Sequence, residues 1–187
     1  MSETAALFAR WRVRLGYLLA VFVLFFARPT PAFAAVGGLV GLIGLCLRAY
    51  AAGYLHKQEV LTVNGPYAYT RNPLYLGSAV LALGAAIATR SWISAGSLMV
   101  YFAVVYGVVM RREEGELLGH HGEAFRNYAA AVPLFLPKLT AANLPGASVG
   151  KFSFAQYKKN HEYQAALGYL LLLVALLILW RLRFGRI

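Results

Sequence analysis

Residues 91–110 read SWISAGSLMVYFAVVYGVVM, a run of twenty residues without a charged side chain. A helix of this length and apolar character can cross the hydrocarbon core of a bilayer, which is roughly 30 Å thick. Charged side chains return together directly after the run, as RREEGE at residues 111–116. The sequence therefore predicts a membrane helix that ends in a cluster of charge.

Four further stretches contain no Asp, Glu, Lys or Arg, namely residues 15–27, 29–47, 72–89 and 163–180. The whole chain is 60% hydrophobic and 13% charged, with a mean hydropathy of +0.59. Because hydrocarbon offers the backbone no hydrogen-bond partners, these stretches are expected to be helices. We predict an all-α, polytopic integral membrane bundle of about five transmembrane helices.

The predicted spans form a single membrane domain over residues 1–187. Its parts are an N-terminal helix hairpin at 1–56, a region at 57–138 that carries the sequence motifs, and a basic linker with a C-terminal helix at 139–187. Pro29 and Pro31 suit a tight turn in the hairpin, although the first apolar run also imitates a secretory signal. Gly37 and Gly41, four residues apart, predict a close helix contact.

The distribution of basic residues predicts an orientation. The chain has 18 Lys and Arg against 7 acidic residues, a formal net charge of +11. With a cytoplasmic N-terminus, thirteen basic residues lie inside and five lie outside, the latter being Arg28, Arg90, Arg181, Arg183 and Arg186. This excess favours a multi-pass protein whose active site faces the cytoplasm, in the cell inner membrane if the source is bacterial. The C-terminal arginines violate the rule.

Two classes of partner are not expected. No basic soluble domain remains to bind a nucleic acid. Cys46 is the only cysteine, and adjacent His120 and His121 point about 100° apart on a helix, without carboxylates at metal-ligand spacing. We expect no metal site.

A polar cluster at the cytoplasmic side consists of three pieces. The first is NGPYAYTRNPLYLGS at residues 64–78. There Gly65-Pro66 predicts a turn, Tyr67 suits the headgroup level, and Pro73 can begin a helix without losing a hydrogen bond. Arg71 is then placed at the mouth of the third span. A plain interfacial anchor is the alternative interpretation.

The second and third pieces surround the exit of the fourth span. In RREEGE, Arg112 and Glu116 are spaced four residues apart for an ion pair on a helix. The third piece, HGEAFRNYAAAVPLFLPK at residues 121–138, predicts an amphipathic helix that ends at Val132-Pro133. A short apolar segment at 134–136 follows this helix.

Together these pieces resemble the isoprenylcysteine carboxyl methyltransferase family and the related membrane phospholipid methyltransferases. The similarity covers residues 47–138 and lies in the order of its motifs: GPY at 65–67, RNPLYLG at 71–77, a two-span hairpin, EE at 113–114, HGEAFRNY at 121–128 and VPLFLP at 132–137. Asn72 stands where the carboxyl methyltransferases usually have histidine. In this respect the entrance is similar to that of phosphatidylethanolamine methyltransferases.

The resemblance implies S-adenosylmethionine as the methyl donor and a lipid-like or prenylated acceptor. Arg71 and Glu114 are the implied catalytic residues. The implied cofactor-binding residues are Tyr67, Asn72, Tyr75, Leu76, Gly77, Glu113, Glu114, His121 and Phe125. Because neighbouring helical side chains diverge, we expect only one of the two glutamates to face the ligand.

The resemblance favours methylation of a carboxylate, as in protein-S-isoprenylcysteine O-methyltransferase. A carboxylate is already ionised at neutral pH, whereas a phosphatidylethanolamine ammonium must first lose a proton to a base. Three alternatives stay open at this point: a phosphatidylethanolamine-type N-methyltransferase, a related membrane reductase that uses a nicotinamide cofactor, and a non-enzymatic helical scaffold.

Overall fold

The computed structural model describes residues 3–56, 60–144 and 150–185, with side chains from residue 14 onward. Outside this part lie Lys57, Arg186 and the predicted boundary at 56/57. The side chains of Arg10 and Arg12 also lie outside it. The α-helices are α1 (Glu3–Phe26), α2 (Pro31–Tyr54), α3 (Pro73–Thr89), α4 (Trp92–Ala131), α5 (Phe154–Lys159) and α6 (Tyr163–Phe184), and a 3-10 helix spans Gly65–Ala68. No strand occurs in the described residues.

The helices form a membrane bundle, which confirms the predicted fold class. Three of them, α2, α4 and α6, are long and apolar enough to cross a bilayer. Two shorter apolar helices, at Arg14–Phe26 and Pro73–Thr89, match the first and third predicted spans. Helices α2 and α4 continue beyond their charge-free stretches, to Tyr54 and Ala131 respectively.

Capping residues and prolines define the helix ends. Pro31 occupies the first turn of α2, where the Thr30 side chain accepts a hydrogen bond from the Phe33 amide. Pro73 likewise begins α3. A proline is favoured there because its missing N–H would have no partner in the first turn. The last helical residue of α4, Ala131, is followed by Val132 and Pro133, as predicted.

Glycines bring α2 into backbone contact with its neighbours. A Cβ atom on Gly37 would lie 2.7 Å from the Ala88 Cβ, and one on Gly44 would lie 2.7 Å from the Gly77 carbonyl oxygen. The Tyr169 ring of α6 fills the space that a side chain at Gly41 would need. The Tyr169 hydroxyl also donates to the Gly37 carbonyl at 2.9 Å. These contacts confirm the predicted small-residue face.

The linker before α6 closes the C-terminal end of α2. The Asn160 amide donates to the carbonyls of Ala52, at 2.8 Å, and Leu55, at 3.0 Å. The Gln156 amide also donates to Leu55, and the Ser153 backbone N–H donates to the Gly53 carbonyl. Helix-terminal carbonyls lack partners within their own helix, so the linker stabilises α2 by supplying them.

A partly buried ion pair joins the start of α6 to α2. The Arg48 guanidinium contacts Glu162 through two nitrogens, at 2.9 Å from Nε to Oε2 and 2.8 Å from Nη2 to Oε2. At the far end of α6, Arg183 Nη1 donates to the Phe25 carbonyl of α1 at 3.1 Å. Helix α6 therefore runs the whole length of the bundle.

Candidate active site

The turn before α3 places an aromatic side chain in the protein interior. Gly65 has φ +58, and a Cβ there would lie 2.7 Å from the Tyr54 ring. Glycine suits this position because it reaches positive φ at no steric cost. The following Tyr67 is buried, and its carbonyl accepts a hydrogen bond from the Tyr128 hydroxyl at 2.8 Å.

Arg71 lies between the end of the turn and the fourth helix. Its backbone N–H donates to the Pro133 carbonyl at 2.9 Å. Its guanidinium Nη1 forms an ion pair with Glu114, and the two side chains are 15% and 25% exposed, respectively. Charges that are largely removed from water interact more strongly than surface pairs do.

Tyr75, in the first turn of α3, contacts the other glutamate. Its hydroxyl donates to Glu113 Oε1 at 2.5 Å, and its ring lies edge-on to Tyr106, with the centroids 5.2 Å apart. Both glutamates thus contact the entrance of α3. Arg71, which precedes α3, and Tyr75, in its first turn, each contact one of the two carboxylates.

The apolar segment after α4 folds against this entrance. The Thr70 hydroxyl donates to the Phe135 carbonyl at 2.8 Å, and the Asn72 side-chain amide donates to the Leu134 carbonyl at 3.0 Å. The Lys138 backbone N–H donates to the Tyr69 carbonyl at 3.0 Å. Asn72 stands where the carboxyl methyltransferases usually have histidine. Its side chain therefore joins the entrance of α3 to the segment that follows α4.

A kink at Gly122 redirects the last part of α4. Gly122 has φ 50 and ψ −118, which interrupts the helical geometry. The chain beyond it places Phe125, Tyr128 and Val132 in a buried cluster that also contacts Leu61. His121, directly before the kink, is half-buried. Among the residues that the structure describes, His121 makes no hydrogen bond to the Arg71 cluster.

The remaining predicted residues are spread around the entrance of α3. Gly77 faces α2, because a Cβ there would lie 2.9 Å from the Gly44 carbonyl oxygen. The Leu76 backbone N–H donates to the Asn72 carbonyl within the first turn of α3. The structure thus brings Arg71, Tyr75, Glu113 and Glu114 together, whereas Gly77 and Phe125 occupy helix-packing positions.

Two buried polar atoms have no hydrogen-bond partner in the described part of the chain, the Tyr67 hydroxyl and Arg71 Nε. Burial raises the pKa of Tyr67 well above its usual value, and the nearby Tyr128 and Glu113 act in the same direction. The hydroxyl is therefore protonated at neutral pH and can donate. A buried donor without a partner costs about 1–3 kcal/mol, so both atoms suit a bound acceptor.

Sequence reasoning missed the aromatic wall beside Tyr75. Tyr106 stacks on Phe102, with their ring centroids 4.5 Å apart, and Phe102 in turn approaches Phe135 at 6.2 Å. A signal for Tyr106 was present, because it precedes Glu113 by seven residues and so lies on the same face of α4.

Residues 35–123 match the family model described as phospholipid methyltransferase. This matched region contains the entrance of α3 and both glutamates. The region is similar to the phospholipid methyltransferase family, which is related to the isoprenylcysteine carboxyl methyltransferases, and the resemblance predicted from the motifs is confirmed. The fold and this similarity support a membrane methyltransferase.

Two curated relatives are named for resistance to metals. The nickel-cobalt-cadmium resistance protein NccN of Alcaligenes xylosoxydans xylosoxydans is 34% identical over 107 residues, which is 54% of this chain and 50% of the relative. The cobalt-zinc-cadmium resistance protein CzcN of Cupriavidus metallidurans is 30% identical over 127 residues, 65% of this chain and 57% of the relative. The chain thus spans about half the length of these relatives. No solved structure matches it significantly.

The names of these relatives raise the question of a metal site. Within residues 14–56, 60–144 and 150–185, no group of three or more His, Cys, Asp or Glu side chains is arranged to hold a metal ion. The names of these relatives therefore have no counterpart in a metal-ligand cluster within those residues.

Proposed function

We propose that the chain is an S-adenosylmethionine-dependent methyltransferase that acts on a carboxylate of a lipid-like acceptor, in the manner of protein-S-isoprenylcysteine O-methyltransferase. The observation that carries this proposal is the cluster of Arg71, Tyr75, Glu113 and Glu114 next to two buried donors without partners. This cluster lies inside the region that matches the family.

The side chains of the cluster fit the proposed cofactor. Arg71 Nε and the Tyr67 hydroxyl are free donors for a carboxylate. Glu113 and Glu114 offer oxygens for an ammonium group, and the face of one ring of the edge-on Tyr75–Tyr106 pair offers a flat surface for adenine. Each of these groups matches the polarity of one part of S-adenosylmethionine. When bound, this cofactor supplies a methyl group on a positively charged sulfur.

The contribution of the chain is then mainly positioning. A carboxylate acceptor with an ordinary pKa of about 3.5 is ionised at neutral pH and needs no general base. Arg71, held by Glu114 and by the Pro133 carbonyl, can fix the orientation of such a carboxylate through its planar guanidinium. Correct alignment and exclusion of water lower the barrier for charged reactants that are already poised to react.

The proposed site lies at one end of the apolar part of α4. The outer surface of α4 is apolar, with Val100, Val104 and Val108 exposed on successive turns. Such a face suits contact with lipid chains. We extend the proposal to a multi-pass, single-domain protein whose site faces the cytoplasm, the orientation that the excess of basic residues favours. In this arrangement the cofactor enters from the cytoplasm and the acceptor enters sideways from the bilayer.

An amine acceptor is the second candidate. The matching family model is described as phospholipid methyltransferase, and Asn72 stands at the entrance in place of histidine. An ammonium group would have to lose a proton to a base before it could attack. Glu113, which accepts a hydrogen bond from the Tyr75 hydroxyl, is a candidate for that base. Product analysis separates an ester from a methylated amine.

The cofactor assignment predicts a stabilising ligand. S-adenosylhomocysteine, the demethylated form of the proposed donor, should raise the Tm of the detergent-solubilised protein in a concentration-dependent way. Binding to the folded state alone stabilises it by about 2.7 kcal/mol at a hundredfold excess over Kd. A thermal-shift titration measures this effect.

Two controls sharpen the titration. The Tyr67→Phe variant keeps the ring and removes the hydroxyl without a partner, so its shift should be smaller than that of the wild type. A nicotinamide dinucleotide should give no shift. If only the nicotinamide compound stabilised the protein, the reductase alternative would replace the methyltransferase. No shift with either compound would favour a scaffold.

A further inference from the structure

A basic cleft lies at the end of the bundle opposite the candidate active site. It has a volume of about 460 Å³ and is lined by Arg28, Pro29, Thr30, Arg90 and Phe184. The entrance of α3 and this cleft are separated by the length of α3, which has 17 residues and thus measures about 25 Å. The cleft is therefore not part of the Arg71 cluster.

The positive charge of this cleft is not neutralised by the described residues. Arg28 and Arg90 are exposed, and neither forms an ion pair with a carboxylate in the part of the chain that the structure describes. No Asp or Glu occurs in the sequence between residues 4 and 58, between 60 and 112, or after 162. The Arg181 and Arg183 side chains on the last turn of α6 add further positive charge.

The backbone holds the two arginine-bearing turns together. The Arg28 N–H donates to the Thr89 carbonyl at 2.9 Å. Arg90 itself has φ 48, a left-handed conformation that non-glycine residues other than asparagine and aspartate seldom adopt.

We propose that this cleft binds the phosphate of an anionic phospholipid headgroup. The planar forks of Arg28 and Arg90 match phosphate oxygens, and Pro29 and Phe184 provide an apolar wall beside them. Trp92, two residues after Arg90, is 94% exposed. Exposed tryptophan at a helix end is typical of the headgroup level of a membrane.

A bound anionic lipid also accounts for the arginines that violate the predicted orientation. The five basic residues on the predicted outer side include both cleft arginines and three at the C-terminal end, of which Arg186 lies outside the described residues. Phosphate groups at that surface offset their charge. The proposal does not depend on the reaction at the Arg71 cluster.

Native mass spectrometry of the whole chain, with added phosphatidylglycerol or phosphatidylcholine, tests this site. We expect one phosphatidylglycerol to bind with at least tenfold preference. The double variant Arg28→Gln/Arg90→Asn should lose at least tenfold in affinity, since asparagine accepts the left-handed conformation while the charges are removed. Arg126→Gln, an exposed arginine beyond the Gly122 kink, is the matched control and should bind normally.

Three results would overturn the proposal. Equal binding of the two lipids would exclude recognition of an anionic headgroup. Undiminished phosphatidylglycerol binding by a double variant with wild-type Tm would exclude these arginines, and the single variant Arg28→Gln serves if the double variant does not fold. Displacement of the lipid by low-millimolar inorganic phosphate would assign the cleft to a soluble anion instead.

Discussion

The Arg71→Lys variant is expected to insert and fold normally yet to lose at least tenfold in kcat/KM, which corresponds to about 1.4 kcal/mol of transition-state stabilisation. Lysine retains the positive charge and can keep one contact with Glu114. It lacks the planar fork, and with it the buried Nε donor that has no partner among the described residues. A carboxylate gripped through two parallel hydrogen bonds would therefore lose its orientation.

The matched control for this variant is Arg112→Lys. Arg112 pairs with Glu116 on the surface, where the two side chains are 37% and 52% exposed. An exposed pair contributes little, so activity should stay within twofold of the wild type, about 0.4 kcal/mol. Steady-state methyl transfer on both variants measures the difference. Near wild-type turnover in Arg71→Lys would show that Arg71 is only an interfacial anchor.

The Glu162→Ala variant should lose about 3 kcal/mol of stability, because it strands the Arg48 charge inside the protein. In the wild type the two side chains are only 9% and 19% exposed, respectively. Arg48 also contacts Ser78 and the Leu74 carbonyl of α3, so the stranded guanidinium would remain among buried groups. Unfolding by sodium dodecyl sulfate in mixed micelles measures the loss.

A double-mutant cycle shows whether the loss arises from the stranded charge. The double variant Arg48→Met/Glu162→Ala should be more stable than Glu162→Ala alone, since no unpaired charge is left. Glu116→Ala, which breaks only the exposed pair with Arg112, is the matched control and should cost less than about 1 kcal/mol. A Glu162→Ala variant no less stable than this control would refute the importance of the buried pair.

Features that depend on neighbours along the chain were predictable from sequence. The prolines at 31, 73 and 133 limit helices because they lack an N–H, and the pairing of Arg112 with Glu116 follows from the pitch of a single helix. The spacing of Gly37 and Gly41 predicted a close helix contact. The sequence did not show that the Tyr169 ring would pack against Gly41.

Features that join distant segments were not predictable. Arg48 and Glu162 are separated by 114 positions, and Tyr75 and Glu113 by 38. Their pairing depends on how the helices pack rather than on any local spacing. Helix α5 has six residues, too few to give a periodic signal, and its bonds to α2 arise only in the folded chain.

The roles of the individual site residues remain predictions. The contacts bring together the two predicted catalytic residues, Arg71 and Glu114, and two of the predicted cofactor-binding residues, Tyr75 and Glu113. Gly77 packs against α2, and Phe125 lies in the cluster beyond the kink. Any contribution of these two residues to cofactor binding would therefore be indirect, through the shape of the helices that carry the ion pair.

Transfer of a labelled methyl group from S-adenosylmethionine by the purified protein in proteoliposomes tests the central claim most directly. Farnesylcysteine analogues and phosphatidylethanolamine are offered separately. The account predicts label on the farnesylcysteine carboxylate, recovered as a base-labile ester, with at least tenfold less label from Arg71→Lys. Label on phosphatidylethanolamine alone would select the amine candidate. No transfer to either acceptor, from protein that binds S-adenosylhomocysteine, would contradict the proposed reaction.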